Sequence, residues 1–335
     1  MPRRQAGSAT GPGDGPPHLG GPRYTLSLAE VAGLLGRSPE DTAALAGIAG
    51  PLRPARLPPA RVREAREAAG LAVAGRTIAV MNLKGGVGKT TTSLTVASRA
   101  VQLGLRTAVI DLDAQGSASL ALGLVPAEED PVFRDVWSLP ADRVPGALRE
   151  VQEFFSLLPS SLENSLLDLE LVKPASQRQA VAGVVEVLRG LGFELVVVDC
   201  PPSLGAGSIS AACAADLVLV PAGNDVFSAR GIELTLQEVE AIRRTFGLPA
   251  VEVRLLSTMV DGRETLSAQY REALARRHGH RLLPGFVRRS TEYSKALERR
   301  ETVFASPRRS DAKVDYDRVT RALLGLPLPP VDPPA

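Results

Sequence analysis

Cysteine is almost missing from this chain of 335 residues. The two present, Cys200 and Cys213, supply neither a disulfide framework nor a metal quartet, and their scarcity suits a reducing compartment. Long apolar runs are missing as well. The longest, around residues 195–222, is broken by Asp199, Pro201, Pro202 and Asp216 and is unfit to span a bilayer. Arg3 and Arg4 have no apolar run behind them, so no secretory signal is expected, and the chain reads as soluble, cytoplasmic and without a membrane partner. Net charge is small, at +2, which by itself argues against a polybasic arm or an acidic solvating chain. Lysine is scarce: five of the 39 cations are Lys, and two of those five, Lys84 and Lys89, fall in one short segment.

What is present is a globular composition. With 44% hydrophobic and 23% charged residues there is enough apolar material for a sizeable core. The length allows one large domain with a satellite, or two ordinary domains. The small net charge hides a segregation. Residues 1–76 carry ten cations and six anions, residues 77–262 carry 14 and 22, and residues 263–335 carry 15 and nine. An acidic middle thus lies between basic flanks, which folding can gather onto one face.

Residues 1–22 are rich in Gly, Pro and Ser and should be disordered, and the Pro-rich tail, 326–335, reads alike. Residues 23–72 read as a small helical unit. Ser27 and Glu30 make a capping box for a helix that Gly36 ends, Ser38-Pro39-Glu40-Asp41 opens a second, and residues 61–69 form a third. Pro51, Pro54, Pro58 and Pro59 enforce the loop before that third helix. From 73 to 325 the pattern alternates. Buried parallel strands are expected at 78–81, 107–112, 155–158, 195–198, 217–220, 251–257 and 282–287, with helices at 89–103, 177–191, 229–246 and 265–277. Such alternation predicts an α/β domain with a doubly wound, mostly parallel sheet.

Residues 82–91 read Asn-Leu-Lys-Gly-Gly-Val-Gly-Lys-Thr-Thr, between a predicted strand and a predicted helix. This is the context of a phosphate-binding loop. Gly85, Gly86 and Gly88 permit the tight turn that aims the N–H groups of Gly85, Gly86, Val87, Gly88, Lys89, Thr90 and Thr91 inward, and the helix dipole adds to them. Lys89 would reach the β- and γ-phosphates of a bound polyphosphate, and Thr90 would bring its hydroxyl to Mg²⁺. An ordinary Walker A loop has Gly six positions before this lysine. Leu83 stands there instead, and Lys84 heads the loop. Two carboxylate motifs close predicted strands: Asp111-Leu112-Asp113-Ala114-Gln115-Gly116, and Asp199-Cys200-Pro201-Pro202-Ser203. Ligands of such sheets bind beyond the carboxyl ends of the strands, so both motifs can converge on the loop. Asp199 follows four apolar residues as a Walker B carboxylate does.

The three motifs together resemble the ParA/Soj family of DNA-partitioning ATPases, within the ParA/MinD class marked by a deviant Walker A loop, and the match extends over residues 76–323. The resemblance implies a P-loop ATPase with ATP and Mg²⁺ as its cofactors. Lys84 is then the signature lysine that reaches the partner's ATP across a homodimer, and Asp113 orients the attacking water. Asp111 and Asp199, with Thr90, hold the magnesium site. Ala114 replaces the family's usual Pro. Met259 and Pro284 match segments that border the adenine. Arg263 and Arg288, with Arg289 beside them, align with DNA contacts inside the basic C-terminal segment, which also holds Arg299, Arg300, Arg308 and Arg309. The family's partners follow: non-specific double-stranded DNA at the nucleoid and a ParB-like protein that stimulates slow hydrolysis.

Other readings fit less well. A MinD-like membrane ATPase needs a C-terminal amphipathic helix, and here a Pro-rich tail follows the last one. A nitrogenase-type reductase needs cluster-ligating cysteines, and a tyrosine kinase of this class a C-terminal Tyr cluster. Residues 24–39 resemble the first helix and turn of a MerR-like helix-turn-helix, which would suit an operator-binding autorepressor. Its second helix, however, carries Glu40 and Asp41 and no Lys, Arg, Asn or Gln, the side chains that read bases.

Overall fold

The computed structural model describes residues 24–48, 56–223 and 225–329. The disorder expected for 1–22, the turn around Pro51 and Pro54, and most of the Pro-rich tail lie outside them. The chain opens with β1 (Leu26–Ser27) and α1 (Leu28–Leu35), followed by α2 (Pro39–Leu45), β2 (Arg56–Leu57) and α3 (Pro59–Ala68). Ser27 caps α1 through a capping box in which its hydroxyl accepts from Glu30 N at 3.2 Å and its own N–H donates to Glu30 Oε2 at 2.7 Å. Gly36, at φ 62°, ends the helix in the left-handed region.

The remainder winds around one sheet. Its elements are β3 (Arg76–Val80), α4 (Lys89–Gln102), β4 (Thr107–Asp111), α5 (Ser117–Ala121), α6 (Phe133–Val136), α7 (Pro140–Ala147), β5 (Arg149–Gln152) and β6 (Phe155–Leu158). There follow α8 (Leu167–Glu170), α9 (Pro174–Gly190), β7 (Leu195–Asp199), α10 (Ala206–Ala214), β8 (Leu217–Ala222) and α11 (Val226–Thr245). The chain closes with β9 (Glu252–Ser257), α12 (Thr265–His278), α13 (Thr291–Glu298) and α14 (Asp311–Leu323). The strand order is β5-β6-β4-β7-β3-β8-β9, parallel throughout except for the edge hairpin β5–β6. This is the doubly wound α/β sheet that the alternation predicts. Successive residues of each strand serve opposite faces. Ile78, Val80, Val109, Leu195, Val197, Leu217 and Leu219 pack against α4 and α14, while Ala79, Ile110, Val196, Val198, Val218 and Val220 pack against α9, α10 and α11.

One expected strand does not form. Residues 282–287 run beside β9, with Leu283 N donating to Leu255 O at 2.9 Å and Val287 N to Ser257 O at 2.8 Å. Between those bonds Pro284 has no N–H and Gly285 turns at φ 97°, so the ladder shrinks to isolated bridges.

The N-terminal unit has no core of its own. Tyr24, Val31, Leu34, Val62 and Ala65 belong to the same buried cluster as Val96, Ala97 and Phe155 of the sheet domain. Gln102, at the end of α4, donates to Thr25 O at 3.3 Å, and Arg66, 1% exposed, reaches Glu194 at 3.5 Å. The closest approach is at Gly104, whose φ is 81° and where a Cβ would stand 2.5 Å from Arg63 N. Gly104→Ala must therefore both strain its own backbone and push α3 away. The expected cost is about 2–4 kcal/mol, to be read as a lower denaturation midpoint in urea.

Candidate nucleotide-binding site

Six parallel strands end on one side of the sheet, and the site is built there. β3 lies inside the sheet between β7 and β8, and residues 82–88 leave it as a tight loop that becomes α4. Gly86 and Gly88 hold φ of 72° and 86°, which only glycine adopts without strain. Lys89 opens the helix. Its side chain is buried, and its Nζ donates to Lys84 O at 3.1 Å. Burial lowers its pKa, and Asp199 and Asp113 oppose that shift. The lysine is thus a desolvated cation with a single carbonyl contact across the mouth of the loop.

The carboxylates converge as expected from the strand ends. Asp111 and Asp199 are register partners on β4 and β7, and both are fully buried. Burial pushes both carboxyls above the usual carboxylate range, and each Asp has a second Asp beside it. Asp199 Oδ1 accepts from Ser93 Oγ at 2.7 Å, and the Thr90 hydroxyl also bonds this carboxylate. Asp199 Oδ2 has no hydrogen-bond partner among the described residues. An orphaned carboxylate oxygen beside the Thr90 hydroxyl fits a hydrated divalent cation, and a cation there would relieve the repulsion between the two acids. Among the described residues no group of three or more His, Cys, Asp or Glu side chains forms a metal cage. Mg²⁺ needs none, since it is commonly held by one or two protein groups, water and substrate phosphates.

Asp111 is occupied differently from Asp199. Its Oδ1 accepts from Asp113 N at 3.2 Å, and its Oδ2 accepts from Ser119 N and Ser119 Oγ, both at 2.9 Å. It anchors the loop that carries Asp113. Asp113 is half-buried, with Oδ1 accepting from Gln115 N at 3.0 Å and its backbone carbonyl accepting from Ser160 Oγ at 2.6 Å. Ser160 has no motif to announce it, and neither has Ser93. Cys200 is buried, and burial raises its thiol pKa, so it sits beside Asp199 as an inert neutral group.

Lys84 is held within its own chain. Its Nζ lies 2.6 and 2.7 Å from the two oxygens of Asp225 and 3.1 Å from Ser228 Oγ. Asp225 is the N-cap of α11, and its carboxyl is held below its ordinary value by the Lys84 and Ser228 hydrogen bonds, against the opposing effect of burial. No sequence motif joins positions 141 residues apart.

A cleft of about 210 Å³ flanks the loop beside Gly88 and Thr91. Met259, at φ 56°, and residues 287–290 line it, and Thr258 Oγ1 ties it to the loop by donating to Val87 O at 3.0 Å. Met259 therefore lines the cleft beside the loop. Pro284 is exposed and does not line the cleft. Its place is taken by the chain three to six residues further on, past the Gly285 turn. Of the arginines expected on DNA, Arg288 grips Asp315 through Nε and Nη2, at 2.7–3.2 Å, and Asp311 at 2.9 Å. It closes the cleft wall. Arg263 is 89% exposed and paired with Asp261, and Arg289 is exposed beside the same Asp261.

The family comparison agrees with this geometry. A family model described as an AAA domain matches residues 75–250. The chromosome partitioning protein ParA of Caulobacter vibrioides is 30% identical over 223 residues, 66% of this chain and 83% of the relative. The chain belongs to the ParA/Soj family. The sporulation initiation inhibitor protein Soj of Bacillus subtilis is 27% identical over 72% of this chain and 96% of its own length. Among solved structures, cobyrinic acid a,c-diamide synthase from Mycobacterium smegmatis with bound ADP and magnesium superimposes with a TM-score of 0.64 and 26% identity. It covers 77% of this chain and all of its own. A Cyanothece McdA–ATP complex, at 19% identity and TM-score 0.67 over 76% and 98% of the two chains, shares the fold. This ParA/Soj chain thus has the fold of a P-loop NTPase. No helix among its described residues is long and apolar enough to cross a membrane.

Proposed function

We propose that this ParA/Soj protein is a slow ATPase that partitions a chromosome or plasmid by cycling on and off DNA. The observation that carries the reading is the convergence of Lys84, Lys89, Thr90, Asp113 and Asp199 on one loop, with Lys84 at its head. ATP phosphates would lie on the N–H groups of residues 85–91, and Lys89 would exchange its bond to Lys84 O for the β- and γ-phosphates. Thr90 and the free oxygen of Asp199 would hold hydrated Mg²⁺, which supplies charge neutralisation at the phosphates. Asp113, fixed by Asp111 and Ser160, would orient the attacking water. One carboxylate gives little assistance to a dissociative reaction, so turnover is slow without a ParB-like partner. Two ATP-bound chains would pair so that each Lys84 leaves Asp225 and reaches the other chain's phosphates. A flexible point charge suits that reach.

Arg263 and Arg289 would provide the DNA face, since phosphate contacts need charge and exposure rather than base reading. Arg288 would shape that face through Asp315. The membrane alternative is disfavoured by α14, whose apolar side (Ala312, Tyr316, Val319 and Leu323) is buried in the core. Binding of duplex DNA with ATP, with ADP and without nucleotide, at two salt concentrations, tests the reading. ATP-dependent, salt-sensitive binding is expected. Joint replacement Arg263→Glu and Arg289→Glu should weaken it at least ~10-fold and flatten the salt dependence by about two contacts, with ATP affinity unchanged. DNA affinity indifferent to nucleotide, or to both substitutions, would sink the proposed surface.

A further inference from the structure

Away from the nucleotide site, a cleft of about 530 Å³ opens where α1 and β2 of the N-terminal unit meet α4 and α14. Six cations line it: Arg56, Arg99, Arg308, Arg309, Lys313 and Arg321. Among the described residues two carboxylates do, and both are engaged. Glu30 is committed to the Ser27 capping box. Asp317 is shared by two guanidiniums, Arg99 Nε at 2.8 Å and Arg321 Nε at 2.9 Å. Those two arginines are 5% and 7% exposed, and Asp317 is 15% exposed. One largely buried carboxylate therefore faces two buried cations. Folding has gathered more cations than carboxylates around an open volume. Arg99 and Arg321 are buried and share Asp317, with further bonds to Gln102 and Pro327 O, and Lys313 bonds Ser306 O. Arg56, Arg308 and Arg309 stand exposed at the rim, and the surplus favours an anion. Lys313 feels this surplus. Its pKa is pushed down to about 8, by burial first and then by Arg56 and Arg99, against the pull of Glu30 and Glu292. The walls are not wholly polar, since Phe304 and Val314 contribute apolar surface.

We propose that this cleft is a second ligand site, for a compact phosphorylated organic anion of about mononucleotide size. The volume lies within the range of small-molecule pockets, the cation excess calls for phosphate groups, and the apolar wall accommodates an organic moiety. The ligand touches α1, α4 and α14 together, so it pins the N-terminal unit to the sheet domain. Duplex DNA fits less well, because its convex backbone cannot reach guanidiniums as covered as Arg99 and Arg321.

The test is calorimetric titration of pyrophosphate into the full-length Lys89→Ala protein without magnesium, so that the phosphate loop does not contribute. One site per chain is expected, with a rise in melting temperature on saturation. Affinity should weaken at least tenfold in a second protein that adds Arg308→Glu and Arg309→Glu, and again in one that adds Lys313→Met. The first two positions are exposed, so these substitutions are tolerated by the fold, and in the otherwise unaltered chain they should leave ATP affinity as it was. The loss of affinity caused by Lys313→Met should shrink as pH rises from 7 to 9 and Lys313 in the comparison protein loses its proton. Absence of pyrophosphate binding, or binding indifferent to these substitutions, overturns the proposal. So does binding that appears only after residues 330–335 are removed, which would make the chain's own tail the occupant.

Discussion

Lys89→Ala is expected to reduce ATP affinity at least ~100-fold while the protein remains folded. The ammonium group is buried and lies in a field set by Asp199 and Asp113. It has already lost most of its water, and its one hydrogen bond, to Lys84 O, is made to the loop it would close. Little desolvation therefore remains when phosphate arrives, so charge-assisted bonds to two phosphates are gained at almost full value. Removing them costs about 2.7 kcal/mol or more, which is two decades in Kd. Fluorescence titration with a labelled ATP analogue measures this. The melting temperature without nucleotide should change little, because the deleted cation was desolvated and unpaired with any carboxylate at hydrogen-bond distance. A large drop in melting temperature would mean that Lys89 supports the loop rather than the ligand.

Asp113→Ala is expected to leave ATP affinity intact and to lower turnover about 100-fold or more, within the range for a residue that positions or deprotonates a nucleophile. Asp113 sits on a loop braced at both ends, by Asp111 through its N–H and by Ser160 through its carbonyl. Both braces are backbone contacts, so the substitution removes the carboxylate and its bond from Gln115 N and leaves these two braces in place. Chains carrying it should accumulate as ATP-bound dimers, detectable by size-exclusion chromatography with ATP but not ADP. Turnover equal to that of the unaltered protein would remove Asp113 from its assigned role. Ser160→Ala is the informative companion, because it loosens the loop without touching the carboxylate and should cost much less.

The phosphate loop was legible in the sequence because its chemistry is contiguous: turn, N–H groups and lysine lie within Lys84–Thr91. The acids Asp111, Asp113 and Asp199 were legible because strand ends of a parallel sheet share one edge. What escaped was pairing at long range. Ser93 supports Asp199 across 106 positions and Lys84 meets Asp225 across 141, and neither pair leaves a local pattern. Charge counting placed Arg288 in a basic segment but could not see that Asp311 and Asp315, 23 and 27 residues later, would take its guanidinium. The strand expected at 282–287 was drawn from its apolar residues, against the local veto of Pro284 and Gly285. That veto also moved the cleft wall from Pro284 to residues 287–290. The N-terminal helices were announced by their caps, whereas their docking on α4 depends on surface fit that no periodicity reveals.

That docking has a thermodynamic consequence. Two bodies joined by a linker melt separately, each with its own enthalpy and midpoint. Here the first helices share the buried cluster of the second body, so the two are expected to unfold together. Calorimetry should show one endotherm whose van't Hoff and calorimetric enthalpies agree. A nucleotide bound at the far end of α4 would then protect the N-terminal amides from hydrogen exchange, since opening them means opening the whole.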